Sequence, residues 1–87
     1  MKITISVPDY NRFEGLRIPW VDNHFIEVSL DENCVYIRAN SEGLETLARQ
    51  MLTLAQIDVP IGRHINLTDE SGLVLGSLDL EIHKIEP

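Results

Sequence analysis

The chain has 87 residues, 44% hydrophobic and 24% charged, with four Pro and five Gly. That is the arithmetic of one small globular domain spanning 1–87, and it leaves no room for two. Fourteen Asp and Glu against seven Lys and Arg give a formal net charge of −7. The basic residues stand singly from Lys2 to Lys84, so no basic stripe is available for direct binding to nucleic acid or an anionic membrane surface.

A chain of this size buries roughly 60–65% of the surface its unfolded form exposes. One helix-on-sheet core is expected, and a deep enclosed catalytic cavity is not. Apolar runs such as Leu73-Val74-Leu75 fall far short of the ~20 residues that cross a bilayer. The start of the chain alternates apolar and polar residues and so does not read as a secretory signal. The lone Cys34 has no internal disulfide partner, which fits a reducing, cytoplasmic compartment.

In chain order, Lys2 to Val7 places Ile3, Ile5 and Val7 on one face and is expected to form a first strand ended by Pro8. Pro8 to Asp22 is irregular and rich in large apolar residues: Tyr10, Phe13, Leu16, Ile18, Trp20 and Val21. Asn23 to Leu30 and Cys34 to Ala39 alternate again, with Ile26, Val28, Leu30, Val35, Ile37 and Ala39 inward. The polar link Asp31-Glu32-Asn33 between them reads as a hairpin turn.

The period then changes. From Asn40 to Ile57, Leu44, Leu47, Ala48, Met51, Leu54 and Ala55 recur at three and four, the spacing of one helical face. Asn40 or Ser41 can cap the first turn, Glu42 and Glu45 suit its positive end, and Glu45–Arg49 is a favourable i,i+4 pair. Pro60 and Gly62 break the helix. Arg63 to Thr68 and Leu73 to Ile85 complete the alternation, around turn residues Asp69 to Gly72.

The order βββαββ implies an α+β fold, a mostly antiparallel sheet of about five strands with one helix on one face. Such a sheet is about 20 Å wide, whereas a helix with its side chains is only ~10–12 Å across. The remaining apolar face must curl, meet a second copy of the chain, or be covered by Pro8 to Asp22. That segment is either a lid on the core or, through Trp20, a partner-binding arm.

The open sheet face is expected to be polar. Asp79, Glu81 and His83 stand at i, i+2 and i+4, one side of a strand, with His64 and Asn66 as neighbours across the last hairpin. Two histidines beside two carboxylates are a metal or acid–base combination in composition. A single strand face, however, presents diverging side chains, so a solvated face is expected, with no metal or cofactor. No motif surrounds Cys34 to make it a nucleophile, and no phosphate-cradling glycine loop is present.

Asn40-Ser41-Glu42-Gly43-Leu44, Leu47-Ala48, Leu52-Thr53-Leu54-Ala55, Val59-Pro60-Ile61-Gly62-Arg63-His64 with Leu67, and Gly76-Ser77-Leu78 with Leu80 and Ile82 together resemble the immunity protein 32 family of bacterial polymorphic-toxin systems. The resemblance runs from Asn40 to Ile85. It implies a cytoplasmic, non-enzymatic antidote that binds a cognate toxin, and the negative charge suits a basic toxin. Glu27, Asp31, Glu32, Tyr36, Asp79, Glu81 and Trp20 are the expected contacts. The alternative is a scaffold or regulatory domain that forms a homodimer through the uncovered sheet face, its leading edge or the Trp20 segment.

Overall fold

The computed structural model describes all residues, Met1–Pro87. It contains strand β1 (Ile26–Asp31), strand β2 (Cys34–Ala39), helix α1 (Ser41–Leu54), strand β3 (His64–Leu67) and strand β4 (Leu80–His83). β1 pairs antiparallel with β2, and β3 with β4, as two separate two-stranded sheets. The α+β class holds, but the expected five-stranded sheet does not form.

Two corrections account for the difference. Lys2 to Val7 is not a strand, because no neighbouring strand takes up its backbone. It is held instead at Ser6, whose carbonyl accepts a bond from the Arg49 guanidinium, and Ile3 stays exposed. The long last strand shrinks to Leu80–His83. Residues before it turn toward the other sheet, where the N–H of Val74 donates to Ile26 O and that of Leu78 to Val28 O, both at 2.9 Å. Gly72 and Gly76 supply the positive φ this path needs, +96° and +88°. The link between β3 and β4 thus serves as a third, irregular partner along the free side of β1.

The first hairpin follows from its turn. Glu32 and Asn33 both have positive φ, 47° and 66°, the requirement of a tight two-residue turn matching strand twist. Register runs Asp31 opposite Cys34 to Ile26 opposite Ala39. Asn40 then closes the hairpin and opens the helix. Its Oδ1 accepts from Gly43 N at 2.7 Å, as an N-cap does, and from Phe25 N at 2.9 Å, while its Nδ2 donates to Asn23 O. Gly43 lies under this junction, where a Cβ would stand 2.3 Å from the carbonyl oxygen of Phe25.

Helix α1 buries a stripe at the expected spacing but not the expected residues. Leu47 and Leu54 are buried with Thr46, Gln50 and Thr53, while Leu44 and Met51, expected inward, are exposed. The polar members of the stripe hold the irregular segment. Thr46 Oγ1 accepts from Val21 N while donating to Glu42 O, and Gln50 Nε2 donates to Pro19 O. Just past the helix, Gln56 grips both sides of Pro8–Tyr10, accepting from Tyr10 N and donating to Pro8 O. A segment without strand partners must find its backbone bonds elsewhere, and helix side chains provide them.

The core is Ile26, Val28, Leu47, Leu54, Val59, Ile65, Leu67 and Leu73. Tyr10, Leu16 and Ile18 pack against it from the irregular segment, so most of Pro8–Asp22 acts as a lid. Phe13 projects from the lid into solvent. At its end the Trp20 ring lies on Gly72, where a Cβ would be 1.9 Å from the indole, and packs against the His24 ring at 4.9 Å. Both His24 nitrogens face carbonyl oxygens, Nδ1 at 2.9 Å from Val21 and Nε2 at 3.0 Å from Gly72.

Candidate functional site

The expected contact residues fall into three places. Glu27, Asp31, Glu32 and Tyr36 share the first hairpin. Glu27, Asp31 and Tyr36 alternate onto its outer face, opposite Ile26 and Val28, and Glu32 stands in its turn. Asp79 precedes β4 and Glu81 lies on it. Trp20 is 38% exposed, with the rest of its ring committed to Gly72 and His24.

Their charges are not equally free. Glu27 is bound to Arg38 across the outer face of the hairpin at 3.0 Å, so its charge is offset by a neighbouring cation. Glu81 accepts from His83 Nε2 at 2.9 Å. Asp31, Glu32 and Asp79 are exposed and enter no ion pair. At the hairpin tip two adjacent, exposed carboxylates face solvent without a compensating cation, and their field reaches outward over ~8 Å at physiological salt.

β3 and β4 bring their histidines together, but through the long link 68–79 and not through the tight Asp69–Gly72 turn expected to join the last two strands. His64 lies directly opposite His83, with rings stacked at 4.7 Å and 14° apart, and Glu81 is opposite Asn66. The stacked rings lie alongside one another instead of converging, and no three His, Cys, Asp or Glu side chains form a set that could hold a metal ion. Cys34 is exposed, its Sγ 3.9 Å from the carbonyl oxygen of its neighbour Val35. The surface has no pocket, and no helix is long and apolar enough to cross a membrane.

The mismatch in width between helix and sheet leaves part of one face bare. Leu30, Val35 and Ile37, expected to face the core, are 59%, 59% and 43% exposed. They form an apolar strip on the inner face of the hairpin, beyond the point where Ile26 and Val28 are covered. Alternation identified the face correctly but carries no information on how far cover extends.

The architecture is thus a small α+β domain with a single helix, two short hairpins and an acidic, solvent-facing tip. The chain belongs to the immunity protein 32 family, whose model matches residues 35–85, more than half of the sequence. The match starts in β2 and ends just past β4, so it includes the helix, the second hairpin and the long link that reaches β1. No curated protein and no solved structure matches the chain.

Proposed function

We propose that this protein is a cytoplasmic immunity protein that binds a cognate toxin and neutralises it by covering a basic surface, without catalysis of its own. Family membership supports the immunity role. The observation that carries the mode of binding is the tip of the first hairpin, where Asp31 and Glu32 stand exposed and unpaired at a rigid turn. A fixed pair of carboxylates accelerates encounter with a cationic surface and imposes its orientation. Tyr36, on the same outer face, offers an aromatic contact of the kind that dominates interface energetics. Asp79 adds a further free charge, Glu81 is already engaged by His83, and Trp20 contributes only its exposed edge.

The test is association with the toxin encoded beside this gene, measured at low and physiological salt together with the toxin's activity. Binding is expected to weaken as salt rises. The charge-reversed pair Asp31→Lys with Glu32→Lys is expected to reduce the association rate at least tenfold at low salt, by the usual scale of electrostatic steering. Complete absence of association between the wild-type pair at low salt overturns the reading.

A further inference from the structure

The outer edges of β2, β3 and β4 all lack a backbone partner, and that of β2 is the longest, six residues against four. In the hairpin ladder, Asn40 N donates to Phe25 O, which fixes the alternation: Glu27–Arg38, Ser29–Tyr36 and Asp31–Cys34 exchange backbone bonds, and Val35, Ile37 and Ala39 direct theirs outward. On β1 the corresponding outward groups are used by Val74, Leu78 and Ser77. On β2 no other segment comes to meet them. Edge strands are ordinarily blunted by proline, lysine, a bulge or a covering loop. This one has none of these, and its one charge, Arg38, is matched by Glu27 at 3.0 Å.

We infer that the edge of β2 is a self-association site, at which a second copy of the chain adds its own β2 antiparallel to form a continuous four-stranded sheet. The sequence of the strand supports this occupant because it is complementary to itself. With a twofold axis at Ile37, each Ile37 exchanges both backbone bonds with its symmetry mate, and Val35 lies opposite the partner's Ala39. These residues join the exposed Leu30 in one apolar strip on the inner face. On the outer face, Tyr36 lies opposite the partner's Arg38, where the guanidinium meets an aromatic ring and no like charges oppose one another.

Charge also favours this edge for two copies that each carry −7. β2 contains no carboxylate, so a second acidic molecule approaches it without meeting a like charge on the strand itself. Antiparallel pairing sends the two acidic tips to opposite ends of the sheet. Asn33 and its mate are then eight residue steps apart, roughly 27 Å at ~3.4 Å per residue, more than three Debye lengths at physiological salt. The residual repulsion is between each tip and the partner's Glu42 at the start of α1. The dimer therefore tightens as salt increases, opposite in sign to the toxin complex, and it requires no toxin, so each reading can fail without the other.

Sedimentation velocity on the full chain tests this. Pairing of one short strand buries less than a standard ~1,200 Å² interface, so a dissociation constant on the order of 50 μM is expected, and a series from about 5 to about 500 μM brackets it. The weight-average mass is expected to approach double the monomer value at the top of the series, and to do so sooner at higher salt. Ile37→Pro removes only an outward N–H that the β1 ladder does not use, and Ile37→Lys places like charges on the axis; both are expected to remain monomeric with an unchanged circular dichroism spectrum. In a Cys34→Ser background, Tyr36→Cys mixed with Arg38→Cys is expected to give a disulfide-linked dimer on mild oxidation, because these positions form a non-hydrogen-bonded pair with Cα atoms about 4.5 Å apart and side chains close together. A wild-type protein that stays monomeric throughout the series, or a dimer that survives both Ile37→Pro and Ile37→Lys, overturns the inference. Failure of the Tyr36→Cys and Arg38→Cys variants to link overturns the register.

Discussion

The irregular segment Pro8–Asp22 and the regular hairpin β1–β2 reverse the usual association of order with burial. The segment has no ladder, yet Tyr10, Leu16 and Ile18 pack on the core and its backbone is held by Thr46, Gln50 and Gln56. The hairpin has a complete ladder, yet β2 is exposed along almost its whole length. Backbone bonding and apolar cover are separate requirements, and a chain can satisfy either without the other. A region with cover but no ladder becomes a lid. A ladder without cover leaves an edge and a face for something else to occupy.

Substitutions can separate the two requirements, and the largest effect is expected where the hairpin does have cover. Ile26→Ala removes a fully buried side chain and is expected to cost about 2–5 kcal/mol in denaturant unfolding. Next, Gly72→Ala drives a methyl into the Trp20 ring at a residue with φ +96°. A loss of about 1–3 kcal/mol is expected, with a change in Trp20 fluorescence because the only indole is displaced. Gln56→Ala releases Tyr10 N and Pro8 O together. It is expected to cost about 1–2 kcal/mol and to expose Pro8–Asp22 to limited proteolysis while the circular dichroism of α1 persists. Arg38→Ala breaks a solvent-facing ion pair and is expected to cost no more than about 1 kcal/mol, reduced as salt rises. Smallest of all, Leu30→Ala, on the same strand and face as Ile26, is expected to stay within about 0.5 kcal/mol for the monomer. Equal losses at Ile26 and Leu30 would erase the distinction between covered and bare halves of the hairpin.

Local patterns were read well where their partners are close in sequence. The turn at Glu32-Asn33, the Asn40 cap and the Glu45–Arg49 pair at 3.5 Å all follow from short-range spacing. The helix stripe departs from the expected one because its buried members Thr46, Gln50 and Thr53 are polar, and hydrophobic periodicity gives weight only to apolar residues. Their burial is favourable because segments such as Pro19–Val21 bring backbone groups to bond with them. Among the expected contacts, the sequence grouped Asp31 with Glu32 by adjacency, but it could not show that Glu27 is engaged by Arg38 or that Trp20 lies on Gly72.

The sequence by itself determined the α+β class, the helix with its cap, the first hairpin and the acidic surplus, since each depends on residues within a few positions of one another or on composition. Tertiary structure decided which alternating runs became strands. Lys2–Val7 and most of Leu73–Ile85 have the pattern, but a strand exists only when another strand takes up its backbone bonds. Tertiary structure also decided that cover stops at Val28. How far one helix and one lid reach across a sheet is a matter of packed volume, which no periodicity encodes.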